Sequence, residues 1–221
     1  MGAALTAAAV DCRRAGLTRP VARQLLEQLY PLYLDGPISH RLTPALIEQG
    51  LAWAAVEVHA TSALLTPHDG GHVAFDYLPD RLQTDPAAAA VPGRVWTGLL
   101  PHLPLEDAAS FGIAAYSAGQ PQVAEQAFRR AADAGDHSAE FNLGVLLQQL
   151  GRVEEAERWY RRAADADHHG AEFDLGVLLK ELGRVEEAER WYHRAADADH
   201  HGATQVLERL AASRAEPAAD A

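Results

Sequence analysis

From residue 105 onward, apolar and polar positions recur with a fixed beat. Phe141, Leu143, Leu146, Leu147 and Leu150 stand at helical spacing and Gly151 follows them. This spacing predicts an amphipathic helix that stops at a glycine in the left-handed conformation. Val153, Ala156, Trp159, Tyr160 and Ala163 then mark the apolar stripe of a second helix. Glu154, Glu155 and Glu157 crowd its start, and Arg158, Arg161 and Arg162 lie toward its end. That order complements the helix dipole and sets Glu154–Arg158 and Glu157–Arg161 four residues apart. Asp167, His168, His169 and Gly170 read as the turn that follows.

The pattern repeats. Ala139–Gly170 and Ala171–Gly202 differ at four positions: Asn142/Asp174, Gln148/Lys180, Gln149/Glu181 and Arg161/His193. A fainter copy lies 32 residues upstream, where Gly112, Gly119, Ala124, Phe128 and Ala131 precede Gly144, Gly151, Ala156, Tyr160 and Ala163. A fixed period of this size predicts a solenoid, whose units bury their apolar faces by stacking on one another. The small residues mark close approach. Gly144 and Ala156 lie where the two helices of a hairpin meet, Tyr160 fills the space beside them, and Ala163 lets the next unit approach. Ala203–Ala212 restarts a first helix with Gln205 and Glu208 where Phe and Gly are expected, so it reads as a polar cap. Residues 215–221 read as a frayed tail.

The spacing G-x11-A-x3-[YF]-x2-A occurs three times, and Leu143–Gly144 and Leu175–Gly176 extend the match. On these residues the region resembles a tetratricopeptide repeat array. Two features depart from that family. The period of 32 is shorter than the usual one of about 34, and the proline that normally closes the second helix is absent, with His168 and His200 near its place. The resemblance implies a concave groove that holds a peptide or protein partner. By position it would be lined by Phe141, Asn142, Val145, Gln148, Gln149, Phe173, Asp174, Val177, Lys180 and Glu181. Three of the four differences between the near-identical repeats fall on this set. The set has no cluster of Lys and Arg, which argues against the carboxylate-clamping mode known in the family.

Residues 1–104 follow a different pattern. Leu5–Ala15 reads as a short helix ending at Gly16. Thr18 is the expected cap of a second, with Pro20 in its first turn and Val21, Leu25, Leu26, Leu29 and Tyr30 along it. Pro31 and Asp35-Gly36-Pro37 interrupt the pattern. Thr43-Pro44 opens a third, Ala45–Val58, with Leu46, Ile47, Leu51, Trp53, Ala54 and Val56 as apolar positions. Two short apolar runs around Asp69-Gly70-Gly71 predict a β-hairpin. A helix starting at Tyr77–Leu82, a Pro/Ala-rich linker over Thr84–Gly93 and a last helix over Arg94–Leu103 complete the half.

Three helices and a hairpin are the order of a winged helix. Gly71–Leu82 (GHVAFDYLPDRL) resembles the segment after the wing in actinobacterial signal-transduction ATPases that carry C-terminal repeats. That resemblance implies a regulatory chain, and because no G-x-x-x-x-G-K-[ST] loop is present, either its ATPase partner is a separate protein or the chain is a fragment or stand-alone derivative of such a regulator. The abundance of Ala and Arg suits a GC-rich bacterial source.

Charge sharpens the picture. Residues 1–104 carry 7 Lys+Arg against 9 Asp+Glu, and residues 105–221 carry 12 against 22, within a net charge of -12. The acidity belongs to the repeats and argues against nucleic acid as a partner. The expected third helix holds Glu48 and Glu57 but no Lys or Arg, so it is poorly equipped to read a major groove. The single cysteine, Cys12, reads as a small buried residue. No apolar run has the length of a membrane span, and the arginines after the first apolar stretch stand in the wrong order for a secretory leader, so the expected location is the cytoplasm. Adjacent His pairs in the turns, His168–His169 and His200–His201, read as duplicated polar residues and not as a metal site. Asp76, Asp80 and Asp85 read as surface carboxylates, and no nucleophile motif is present.

The expected architecture is therefore mainly α. A winged-helix-like domain with one β-hairpin (1–104) is followed by an α-solenoid of three 32-residue repeats and a cap (105–214) and a disordered tail (215–221). The expected role is a non-enzymatic protein-interaction module without cofactor or metal. Two alternatives are a transcriptional regulator with a DNA-binding winged helix and sensor repeats, and a repeat scaffold that self-associates.

Overall fold

The computed structural model describes residues 1–34, 43–56, 63–75, 78 and 90–215. These fall into two compact units, 1–127 and 128–221. The fold is mainly helical with one small sheet.

In the first unit, α1 (Gly2–Arg14) buries Leu5, Ala8, Ala9 and Cys12 completely. It starts three residues earlier than the sequence pattern predicts, because Gly2-Ala3-Ala4 continues the helix and Leu5 N–H donates to Met1 O at 3.1 Å. Gly16, at φ 92°, ends it. The next helix, α2 (Arg23–Leu29), starts later than expected. Val21 is extended instead of helical: its N–H donates to His72 O at 2.8 Å and its carbonyl accepts from His72 N–H at 2.9 Å. Thr18 therefore caps nothing, and its hydroxyl bonds Asp107 Oδ1 at 2.8 Å. A 3-10 turn, Tyr30–Tyr33, follows.

Helix α3 spans Pro44–Ala54. Ile47, Leu51 and Ala54 are buried, but Leu46, Trp53 (55% exposed) and Val56, read from sequence as apolar positions of the same helix, face out. Strands β1 (Leu65–His68) and β2 (Gly71–Ala74) pair antiparallel with His68 opposite Gly71, so the turn is Asp69-Gly70, with Gly70 at φ 87°. A Cβ on Gly71 would lie 2.3 Å from Val21 O, so the Val21 bridge requires glycine there. The last predicted helix of this half breaks into α4 (Gly93–Leu99) and a 3-10 turn over Leu100–His102, since Pro101 has no N–H to continue the ladder. Trp96 packs on Phe111 with ring centroids 5.4 Å apart. Cys12 is buried, and burial together with the Asp11 carboxylate pushes its thiol up to about 12.

Helices α5 (Leu105–Ser117) and α6 (Pro121–Asp133) follow, joined through Gly119 at φ 71°. The second unit starts within α6. It continues as α7 (His137–Gln149), α8 (Val153–Asp165), α9 (His169–Glu181), α10 (Val185–Asp197) and α11 (His201–Ala215). Helices α7 and α8 form one hairpin and α9 and α10 the next; α8 packs on α9, and α10 on α11. Gly151 (φ 75°) and Gly183 (φ 76°) stop the first helices as the pattern predicts. Tyr160 and Tyr192 are each 1% exposed, and Ala156, Ala163 and Ala195 are buried. A Cβ on Gly144 would lie 2.6 Å from Tyr160 Cδ1, which is why the position takes no side chain. Leu150, read as part of the buried stripe, is 45% exposed at the end of α7.

The expected helix start at Tyr77–Leu82 lies outside the described residues except for Leu78. So do Asp35-Gly36-Pro37, residues 57–58 of the expected third helix, Asp76, Asp80 and Asp85, the linker over 84–89, and residues 216–221. Among the described residues no helix is long and apolar enough to cross a membrane.

Candidate functional site

The second helices carry the ties between consecutive hairpins. Arg129 donates to Glu155 (3.0 Å), and one period later Arg161 bonds Glu187. Arg152 also donates to Glu155 through Nε (2.7 Å) and Nη2 (2.8 Å), and these guanidinium hydrogen bonds pull the Glu155 carboxyl down to about 2. Arg161 holds Glu157 at 2.8 Å, the pairing four apart that the sequence suggests. A second pair of ties is also periodic: Arg162 Nη2 donates to Ala132 O (2.8 Å) and Arg194 Nη2 to Ala164 O (3.0 Å). Ion pairs that recur at the repeat period are struts of the stack.

On α7 and α9, Phe141, Asn142, Val145 and Gln148 are half-buried, as are Phe173, Asp174 and Val177, while Gln149, Lys180 and Glu181 are exposed. Two histidines that sequence reasoning read as plain turn residues sit among them. His168 stacks on Phe141 with centroids 4.7 Å apart and planes at 24°; His200 stacks on Phe173 at 4.6 Å and 22°. His168 is also the N-cap of α9, its Nδ1 accepting from Ala171 N–H at 3.2 Å. Gly170 and Gly202 leave room for the stacked pairs: a Cβ on Gly202 would stand 3.3 Å from both His200 Cε1 and Phe173 Cζ. The sequence signal for this was the recurrent His-His-Gly after a missing helix-ending proline. Its meaning depends on where Phe141 and Phe173 point, which spacing alone leaves open.

Two of the repeat differences alter the chemistry of this face. Tyr160 O–H donates to Gln148 Oε1 at 2.8 Å, whereas one period on the glutamine position holds Lys180, which has no acceptor to offer Tyr192. Burial, with Glu181 and Asp174 nearby, pushes the Tyr192 phenol up to about 12. Asp174, which replaces Asn142, has no hydrogen-bond or ion-pair partner among the described residues. Burial raises its carboxyl above the ordinary range against the opposing pull of His200 and His168.

Asp174 therefore has a testable cost. Its folded-state affinity for protons exceeds its unfolded one, so stability falls as pH rises from the unfolded value of about 3.9 through the raised folded value. Above that window the charged side chain opposes folding. Asp174→Asn, the residue the preceding repeat already carries, is expected to raise the melting temperature at pH 7. The gain should shrink toward pH 4, as Asp174 takes up a proton. Thermal melts of both proteins across that range check this; an unchanged or lower melting temperature at pH 7 contradicts it.

Elsewhere, a mainly apolar hollow of about 530 Å³ in the first unit is lined by Ala3, Ala7, Val10, Asp11, Trp53 and Leu64 among others. Asp11 accepts from Tyr33 O–H (2.6 Å) and pairs with Arg14 (2.8 Å). Among the described residues no three His, Cys, Asp or Glu side chains converge as a metal site would require.

Stacked helical hairpins with small residues at each crossing define the second unit as a helical repeat solenoid. Family models of the tetratricopeptide repeat match residues 110–171 and 174–198, so residues 110–198 hold tetratricopeptide repeats. Such repeats support protein–protein interaction. Two solved structures are similar. "Crystal structure of MamA" aligns at 19% identity and TM-score 0.42 over 47% of this chain and 64% of that one. "Crystal structure of MamA protein" aligns at 20% and 0.42 over 52% and 67%. The chain thus spans less than two thirds of the first of these. No curated protein matches the chain.

Proposed function

We propose that this chain is a non-enzymatic, regulatory interaction module whose repeats bind a peptide or protein segment along the face of α7 and α9. The observation that carries this reading is the aromatic floor of that face. Phe141 and Phe173 are only half-buried, each stacked by a histidine from the following turn, and polar side chains that differ between the repeats surround them. A floor of planar rings with a variable polar rim suits an extended chain, whose side chains dock at intervals. The exposed trio Gln149, Lys180 and Glu181 would form the rim.

Residues 1–104 are read as a winged-helix-like platform. What supports this, beyond the order of three helices and a hairpin, is the Val21–His72 bridge, which sets a third extended segment beside β2. The element that would enter DNA, α3, carries Glu48 and no cation, and Glu48 is paired with Arg23 from α2. This favours a protein partner, such as a separate phosphate-loop ATPase, over nucleic acid.

The test is selection of a displayed random 12-residue peptide library on the full chain. Binders are then measured against Gln149→Arg and Glu181→Arg, both at exposed positions that spare the fold. Selected peptides are expected to weaken by about tenfold or more on at least one variant. Binders indifferent to both variants and to Val177→Arg refute the groove.

A further inference from the structure

We propose that the groove is selective for a segment presenting one arginine, and that Asp174 together with the Phe173–His200 stack forms the seat for its guanidinium. The proposal rests on the groove reading above and specifies its partner.

Three observations converge. The first is an orphaned carboxylate. Asp174 is half-buried, and no Lys or Arg of the described residues pairs with it, although the same hairpins satisfy Glu155, Glu157 and Glu187 with arginines. A half-buried charge without a counter-ion is unfavourable in the free protein, and a ligand cation would relieve it. The second is the surrounding surface. Asp174 follows Phe173 on α9, and its charge is felt by Tyr160 and Tyr192 and acted on by His168 and His200. The Phe173–His200 stack provides a flat π-face near it, and Glu181, also felt by Tyr192, adds negative charge. A planar cation that stacks and donates hydrogen bonds at once uses such a site better than an ammonium does. The third is the internal control within the chain. The preceding repeat has the same aromatic stack, Phe141 on His168, but Asn142 replaces the carboxylate. The scaffold therefore tolerates either residue, and one of its two seats is charged.

That control supplies variants expected to fold. Peptides from the 12-residue library selected on the full chain are expected to share an arginine at one position. Replacing it by citrulline, which keeps the shape and removes the charge, should weaken binding by about tenfold or more to the native chain and have little effect on Asp174→Asn. Lysine at that position should bind more weakly than arginine. Asn142→Asp should favour peptides with a second arginine. Circular dichroism melts of both variants verify folding before binding is read.

Peptides that depend on Val177 and Glu181 but carry no arginine, or whose affinity ignores Asp174→Asn, overturn the seat and leave the groove standing. Peptides indifferent to every groove substitution overturn both. If light scattering finds the chain self-associated and Asp174→Asn dissolves the assembly, the occupant is a second copy and the peptide assignment falls.

Discussion

Tyr160→Ala is expected to destabilise the repeat unit by about 3–5 kcal/mol, the cost of removing a large buried aromatic side chain. The ring is 1% exposed, lies flat against the backbone gap at Gly144, and packs 6.1 Å from the Phe141 ring. The neighbours on the crossing, Gly144 and Ala156, are too small to refill the space. Tyr160→Phe removes just the phenol bond to Gln148 and should cost about 1 kcal/mol. Gly144→Ala tests the same contact from the other side. Its new Cβ would meet Tyr160 Cδ1 at 2.6 Å and should cost about 1–3 kcal/mol through overpacking. Because the two sites share one space, their effects should not add. Urea unfolding gives the free energies, and hydrogen exchange should place the loosened amides in α7 and α8 first, since a repeat stack couples mainly nearest neighbours. If Tyr160→Ala and Gly144→Ala each fall within 1 kcal/mol of the parent chain, the hairpin packing is wrong.

What the sequence made legible was what the repeat period and small residues control. Gly144, Ala156, Tyr160 and Ala163 identify the crossing by size alone, and Gly151 and Gly183 stop helices through their backbone freedom, so both features survive without knowledge of neighbours. The first unit was less legible because its boundaries are set by distant partners. Val21 has the apolar character of a helix position, and nothing near it in the chain reveals that His72 claims both its backbone groups. Trp53 fits the helical period of α3 yet faces outward, since a period fixes which residues share a face and not how wide the covered part of that face is, and Val56 lies beyond the end of the helix.

The proposed groove shows the same division. The ten expected lining residues all lie on α7 and α9, with their accessibility graded from half-buried rings to an exposed rim. The histidines that complete the floor come from turns, where composition suggested solvent. A local rule would have placed Asp or Ser at the α9 N-cap, as Asp136 does for α7, where its side chain accepts from Ala139 N–H at 3.0 Å. His168 fills that role and adds a ring, so one substitution between repeats both caps a helix and covers Phe141. Asp167 and Asp199 adopt φ near 60° where the preceding turn has Gly135, a cost of side-chain retention at a left-handed position. Arg194 recovers part of that cost by bonding Asp167 at 3.0 Å.

Arg162→Ala is expected to destabilise the same unit by about 1–3 kcal/mol, the cost of leaving the buried Glu140 carboxylate without the partner that the 46%-exposed arginine supplies. Glu140 was invisible as a core residue, because a glutamate early in a helix reads as a solvated dipole partner, yet it is 0% exposed. Arg162 Nε lies 2.6 Å from its Oε1, close enough to pair although outside hydrogen-bond alignment, and His137 Nδ1 lies 3.0 Å from Oε2. The same guanidinium donates to Ala132 O and covers the Trp159 ring at 5.3 Å, so its loss uncovers a carboxylate, a carbonyl and an indole together. His137 retains one oxygen of Glu140 and keeps the cost below the upper limit. If desolvated charge is the cause, Arg162→Ala combined with Glu140→Leu should recover much of the loss, since no buried carboxylate then remains without its cation. The equivalent Arg194→Ala should behave alike, because Arg194 Nη2 stands 2.9 Å from Glu172 Oε1 and its guanidinium lies 4.8 Å from the Trp191 ring. Denaturant titration of the single and double variants decides it. A loss below 1 kcal/mol for Arg162→Ala, or a double variant worse than the single, means that the strut acts by packing alone and not by charge.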